Sequence, residues 1–224
     1  MSASFQAQML DLARLPPEDE LDVEIVARMR HLAAKLIIEP DHRVLLIGSG
    51  ESSFARYLRE VCRAKLSATN SIDDARGPFD RLVSIGAFEQ ERSFRAFFST
   101  AFQKLERNSI ALLQGIAQHA PARSGAPAIS EIMPSVEKTR FLIKDLEILQ
   151  GDQASFLAKF AERAVTDDLS GSLREQAGLL ADGERFVYQL QISPFQDSIP
   201  FTRDYIAERS ADLQAREREL GFSL

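Results

Sequence analysis

At 224 residues, 45% hydrophobic and 27% charged, the chain has the make-up of a globular protein with one sizeable core. Its net charge of −6 argues against sequence-independent nucleic-acid binding, and no run approaches the ~18 apolar residues of a membrane span. The single cysteine, Cys62, excludes an internal disulfide and has no neighbour that would make a thiolate or metal site, so it reads as a packed residue.

Residues 1–39 read as helical, broken at Pro16-Pro17 and restarted by the acidic run Glu18 to Glu24. Leu21, Ile25, Met29, Leu32 and Leu36 recur at three- and four-residue spacing, an apolar stripe that packs on a sheet. Pro40 stops this helix. His31 and His42 on either side of the stop read as exposed or capping histidines. No basic-then-apolar leader is visible, so the expected location is cytoplasmic.

The next stretch, Arg43 to Glu60, reads RVLLIGSGESSFARYLRE. Val44 to Ile47 make a short buried strand, Gly48-Ser49-Gly50 a sharp turn, and Phe54, Tyr57, Leu58 and Val61 the apolar face of a helix. Such a turn opens a Rossmann-like sheet, where glycines let the backbone approach a ligand and the helix start offers free N–H groups. G-x-G alone also occurs in turns that bind nothing. A second strand follows at Lys65 to Thr69. The ribose-binding carboxylate often found at its end is absent, because the chain there reads Thr69-Asn70-Ser71. Asp73 and Asp74 lie later, in what reads as a solvated turn. Too few residues separate this strand from the next for another helix and strand, so this half of the sheet is expected to be shortened.

Phe79 to Ile85 is the next strand, followed by Gly86-Ala87-Phe88-Glu89 and a helix carrying Phe94, Phe97, Phe98, Ala101, Phe102 and Leu105 on one face. That phenylalanine density reads as core. Ser109 to Gln118 is a further strand with Gln114 near its end, which places Gly48 to Glu51, Glu89 and Gln114 on one rim of carboxyl strand ends. Beyond a Pro/Gly/Ala-rich loop, Ile129 to Ile132 and Ser135 to Lys138 read as two short helix starts. Phe141 to Leu149 reads as a strand, Gln153 to Ala164 and Ser172 to Leu190 as helices, and Arg203 to Leu220 as a final helix whose Arg216 to Glu219 face is solvated.

The segment FDRLVSIGAFE, Phe79 to Glu89, resembles the cyclopropane-fatty-acyl-phospholipid synthase family of class I S-adenosylmethionine-dependent methyltransferases, whose members carry FDR-(I/V)-VS-(I/V)-GMFEH here. The likeness extends to VLLIGSGESSFARY at the glycine turn, FRAFFSTAFQKL, LLQGIA, ISEIMPSVEKTRFLIKDLEIL and FLAKFAERA, spanning roughly residues 25–206. It implies a Rossmann-like class I methyltransferase sheet with helices on both faces, in residues 41–224 with a C-terminal helical cap, preceded by a helical segment at 1–40. It also implies S-adenosylmethionine as cofactor, held by Gly48, Ser49, Gly50, Glu51, Asn70 and Gly86. Glu89 and Gln114 occupy the positions of a glutamate and a histidine that, with a tyrosine and an upstream cysteine, hold a catalytic bicarbonate in that family. The substrate implied is a lipid acyl chain or another hydrophobic small molecule, with peripheral membrane contact. No nucleic acid or metal is implied.

The departures fall where the family does chemistry. Gln114 replaces the histidine, Gln153 the tyrosine and Leu46 a first-strand acidic residue, while Ser53 replaces the third glycine. Glutamine hydrogen-bonds but carries no proton. Each loss that leaves a buried partner unpaired costs about 1–3 kcal/mol, enough together to move a micromolar site to millimolar. Two readings follow: a methyltransferase acting on acyl chains, or a catalytically inactive relative serving as a binding or scaffolding subunit, paired with a protein partner or a second copy of itself. An NAD-dependent oxidoreductase is disfavoured, since the third glycine and the ribose carboxylate are both missing.

Overall fold

The computed structural model describes residues 20–48, 50, 52–91, 93–121, 125–149, 153–163, 167–195, 199–200 and 202–224. The order is α1 (Glu20–Lys35), β1 (Arg43–Ile47), α2 (Ser53–Glu60), β2 (Lys65–Thr69), β3 (Phe79–Ile85), α3 (Phe94–Lys104) and β4 (Leu105–Gln118). Then come α4 (Ile129–Lys138), β5 (Leu142–Leu149), α5 (Gln153–Glu162), α6 (Asp167–Ala181), β6 (Arg185–Ser193) and α7 (Asp204–Leu220).

The strands form one sheet in the order β2-β1-β3-β4-β6-β5. Strands β1 to β4 are parallel, and β6 runs antiparallel between β4 and β5. This is the expected Rossmann-like α/β sheet with helices on both faces. It is shortened where the sequence indicates: β2 is an edge strand, and the chain passes from it to β3 through a loop holding only a 3₁₀ turn at Ile72–Asp74. Strand order reverses at β1, so the crevice at the carboxyl ends of β1 and β3 is where such a sheet takes ligands.

Alternation along the central strands feeds two cores. On one face Leu46, Val83 and Leu112 meet Met29 of α1, Phe54 of α2 and Phe156 of α5. On the other, Ile47, Leu82 and Leu113 meet Phe97 and Phe98 of α3 and Ile132 of α4. The phenylalanine-rich helix is therefore core, as its spacing indicates. The opening of the FDR segment is scaffolding too. The Asp80 carboxylate accepts from the Arg43 backbone N–H at 2.8 Å, and the Arg81 guanidinium donates to the carbonyls of Leu36 and Ile37 at 2.5 and 2.9 Å, capping the end of α1.

Four expectations are corrected. The stretch Ser172 to Leu190 is not one helix: α6 ends at Ala181, Gly183 takes a left-handed φ of 72°, and β6 begins at Arg185. Apart from its first two residues β6 is buried on both faces, which hides the wet-face alternation that marks a strand. The two helix starts after the loop are one helix, α4, which runs on through Pro134 because Ile132 and Val136 anchor it to the sheet. Strand β4 starts at Leu105, four residues before the expected Ser109 and directly after α3. Finally, the Arg216 to Glu219 face is not wholly solvated. Glu217 is buried, with its carboxylate gripped by Arg30 of α1 at 2.6 and 2.9 Å and receiving the Tyr57 hydroxyl of α2 at 2.6 Å. No helix among the described residues is long and apolar enough to cross a membrane.

Removing one side of a buried charge pair strands the other. Glu217→Ala is expected to lower the unfolding free energy by about 3 kcal/mol in urea titrations, whereas a loss below about 1 kcal/mol would mean that this carboxylate is solvated after all.

Candidate functional site

The glycine bend is built for close packing. Gly48 has φ 145°, and its N–H donates to the Thr69 carbonyl at 2.8 Å, fastening the bend to the end of β2. A Cβ on Gly50 would lie 3.1 Å from that of Ala68. The Gly50 carbonyl accepts from Arg59 at 2.8 Å, and the Ser52 hydroxyl caps α2 by accepting from the Ala55 N–H at 3.2 Å. Ser49 and Glu51 lie outside the described residues. Leu46 points into the core beneath the bend, so no carboxylate stands there.

At the end of β2, Asn70 is exposed, and the Thr69 hydroxyl is occupied by the backbone of Ser71. The Asp73 carboxylate accepts from the Thr100 hydroxyl of α3 at 3.3 Å, and Lys104 donates to the Asp73 carbonyl. Asp74 is exposed.

Glu89 sits in a 3₁₀ turn, Phe88–Gln90, reached through Gly86 at φ 63°. The last rung between β3 and β4 is the Gly86 N–H donating to the Gln114 carbonyl at 2.8 Å. Beyond it β3 has ended, and the next amide on that edge, Ile116 N–H, donates to Glu89 Oε1 at 2.9 Å. The carboxylate continues the ladder in place of a strand. It lies directly over Gly115, where a Cβ would come within 2.2 Å of Oε1. Oε2 is buried with no hydrogen-bond partner among the described residues, and the same holds for the hydroxyl of Tyr188, which pairs with Gly115 across β6. Burial, opposed only by backbone N–H groups, pushes the Glu89 carboxyl up from its ordinary 4.5 to about 7.

Gln114 is brought to the same strand segment but points to the other face, since neighbours along a strand alternate. Its Oε1 accepts from Gln189 Nε2 at 2.8 Å. Gln114 borders two adjoining cavities. One is apolar and tight, about 50 Å³, walled by Ile25, Met29 and Leu32 of α1, Ile85, Ile116 and Phe156. The other is polar, about 290 Å³, and includes Glu24, His31 and Gln189. Arg28, Gln114 and Gln153 line both. Arg28 is held by Glu24 at 2.5 Å and by the Gln153 side-chain oxygen at 2.7 Å, with its guanidinium 3.9 Å above the Phe156 ring. Behind this wall, fully buried Lys35 pairs with Asp145 at 3.0 Å and Glu147 at 2.7 Å, and Arg203 pairs with the same two carboxylates. His31 is half-buried rather than exposed; burial together with Lys35 lowers its pKa, opposed by Glu147 and by a side-chain hydrogen bond with Gln189. His42 accepts from the Glu39 N–H at 3.0 Å, the capping role expected of it.

Sequence reasoning missed Arg28, Gly115, Tyr188 and Gln189. The one available signal was the polar beat of Gln189 and Gln191 within the apolar run FVYQLQI. Among the described residues, no group of three or more His, Cys, Asp or Glu side chains could hold a metal ion.

No family model and no curated protein sequence matches the chain. Solved structures do match. The cyclopropane synthase MmaA2 from Mycobacterium tuberculosis aligns with a TM-score of 0.65 at 18% identity, over 86% of this chain and 94% of its own. The mycolic acid cyclopropane synthase CmaA1, complexed with SAH and CTAB, gives 0.64 at 17% identity over 75% and 83%. A geranyl diphosphate methyltransferase in complex with GPP and sinefungin gives 0.57 at 9% identity over 76% and 79%. At these identities the likeness is one of fold, and the fold is that of the class I S-adenosylmethionine-dependent methyltransferases.

Two outcomes test the Glu89 geometry. Gly115→Ala drives a methyl into the carboxylate and is expected to destabilise the chain by about 2 kcal/mol or more, with a large part of that loss absent when Glu89→Ala is made first. Additive losses in the double-mutant cycle would separate the two positions. Folding also raises the Glu89 pKa, so this carboxyl's contribution is complete below pH 4.5 and is lost as pH rises through about 7. The stability of Glu89→Gln relative to the parent is therefore expected to climb across that window in urea titrations. Parallel profiles would refute the buried, proton-holding carboxyl.

Proposed function

We propose that the chain is an S-adenosylmethionine-dependent methyltransferase-like protein of the cyclopropane-fatty-acyl-phospholipid synthase type, acting on an unsaturated acyl chain or a related hydrophobic substrate. The observation that carries this reading is the apolar-walled cavity, tight at about 50 Å³ and adjoining the roomier polar one, at the carboxyl ends of β3 and β4, beside the switch point where this fold takes its ligand. Its walls are aliphatic and aromatic, with Arg28, Gln114 and Gln153 at the polar boundary. In this proposal α1, in the segment 1–40, closes the substrate cleft, and the Rossmann-like unit 41–224 supplies the rest.

The residues present fit the donor in part. The positive φ of Gly48 and the tight approach of Gly50 to Ala68 suit a backbone cradle for an adenosyl group, formed with Ser49, Glu51, Asn70 and Gly86. The cofactor brings the sulfonium methyl. The chain positions the acceptor in a dry cavity, which by itself supplies much of the rate of a methyl transfer. Glu89 fixes the backbone of β4 beside this site, and Gln114 orients the polar boundary of the cleft. Cytoplasmic placement with peripheral membrane contact suits such a substrate.

A second reading has its own support. Leu46 and the Thr69-Asn70-Ser71 stretch stand where the family's carboxylates anchor the donor, and Asp73 is engaged by α3. Glu89 Oε1 is already committed to Ile116. On that reading the chain is an inactive relative that binds or scaffolds a lipid-modifying enzyme.

Calorimetric titration with S-adenosylmethionine and S-adenosylhomocysteine separates the two. The enzymatic reading expects saturable heat with a Kd between about 10 μM and 1 mM, weakened from micromolar by the lost carboxylates. No heat and no thermal shift at millimolar ligand leaves the second reading standing.

A further inference from the structure

The polar cavity, about 290 Å³, is the roomier of the two, near the small end of ligand pockets. Three ionisable side chains stand in its lining: Glu24, Arg28 and His31. Glu24 and Arg28 hold each other at 2.5 Å, which leaves the imidazole as the one titratable group outside an ion pair. The hydrogen bonds behind the ring fix its chemistry. Gln189 Nε2 donates to Gln114 Oε1 at 2.8 Å, so the Gln189 side-chain oxygen is left for His31, which hydrogen-bonds to it. An amide oxygen only accepts, so the ring nitrogen that meets it carries a proton, and in neutral histidine the second nitrogen keeps a lone pair. No other hydrogen bond to His31 forms among the described residues. The bond to Gln189 also survives protonation, because an imidazolium donates from both nitrogens.

The charges around the ring favour its base form. Burial and Lys35 of α1 lower the His31 pKa and Arg203 adds to them, while Glu147 of β5 and the Gln189 bond of β6 pull the other way. Asp145 pairs with the same two cations. The cavity also lies next to the strand ends assigned to the cofactor: the backbone carbonyl of Gln114, which lines it, accepts from Gly86 N–H at 2.8 Å. An imidazole in its base form matches a hydroxyl of tyrosine-like acidity, a phenol or an enol, whereas an aliphatic alcohol is too weak an acid to give up its proton to it.

We propose that His31 takes the proton of a phenolic or enolic hydroxyl bound in the polar cavity as that oxygen accepts a methyl group. The O–H bond breaks and its proton passes to the bare ring nitrogen. The electron pair of the oxygen forms a bond to the sulfonium methyl carbon, whose bond to sulfur breaks, leaving a methyl ether and a neutral thioether. The imidazolium then returns its proton to water. This rests on the proposed methyltransferase function, and among the hydrophobic substrates which that reading covers it selects those with an acidic hydroxyl.

The test is an NMR titration of the intact chain with p-cresol, which stays un-ionised between about pH 5 and 8, read on the ring signals of the three histidines. The same signals give the His31 pKa. A hydroxyl that donates to the bare nitrogen loses its acceptor once the ring is protonated. Affinity is therefore expected to be flat above the His31 midpoint and to fall by up to about tenfold per pH unit below it. His31→Gln is expected to abolish this dependence, and toluene, which lacks the hydroxyl, is expected to show none. With S-adenosylmethionine present, p-cresol is expected to yield 4-methylanisole, with kcat about 100-fold or more lower in His31→Gln and KM changed less than about threefold. A pH-independent affinity, the same dependence in folded His31→Gln, His31 signals unmoved by p-cresol, or methylation at an unchanged rate in the variant overturns the proposal. His31→Asn repeats the comparison if the glutamine variant does not fold. Calorimetry with S-adenosylhomocysteine in parallel keeps the two ideas apart. Cofactor binding without pH-linked p-cresol binding removes only the His31 assignment. The pH-linked binding without cofactor binding removes the enzymatic reading and leaves His31 as a hydroxyl acceptor.

Discussion

Strand β4 outruns its parallel neighbour, and the amide it leaves uncovered at Ile116 has to be satisfied inside the protein. An unpaired buried N–H is expensive enough that the chain commits an acidic side chain to it. Several features follow from that contact. Glu89 must sit on a short turn directly after β3, Gly86 must adopt the left-handed conformation that makes the turn, and residue 115 must lack a side chain. The carboxyl is then dry, and its proton becomes part of the folded state. A residue whose sequence context points to catalysis is thus also a structural member of the sheet.

The same strand divides the labour of the site. Residues 113, 115 and 117 face α3 and α4, while 114 and 116 face the helices that wall the cleft. Glu89 and Gln114, neighbours on a rim when read from topology, therefore act on opposite sides of one β-ribbon. The carboxyl stabilises the strand from below, and the amide presents its upper surface to whatever enters. The two buried glutamines of β6 extend that polar surface: Gln189 reaches Gln114, and Gln191 donates to the Lys35 carbonyl at the end of α1.

Much of this was readable in the residues. Strands β1, β2 and β3 are flanked by glycine, proline or turn residues; the bounds of β2 and β3 were legible to the residue, and those of β1 to within one, since it starts at Arg43 rather than Val44. The shortened half of the sheet was legible too, because nine residues between β2 and β3 leave no room for more. Strand β6 was not. Buried on both faces, it offers only the polar beat of Gln189 and Gln191, and the single break between it and the helix before it is the short polar turn Asp182 to Arg185. Gly115 and Glu89 are 26 positions apart in sequence, and only the cross-strand register brings them together. Glu217 looks like one more charge on a charged helix until Arg30 and Tyr57 close on it from other elements. Local pattern carries the elements; partners chosen across the fold carry the site.

The ion pairs around the cleft have a consequence for how a ligand arrives. Among the described residues the cations along the wall are each paired with a carboxylate, so these side chains contribute little of the field that an approaching ligand meets. On the proposed acyl-chain reading, what draws a molecule in is the partition of its hydrocarbon out of water, so the traffic through this opening is set by oiliness and by supply.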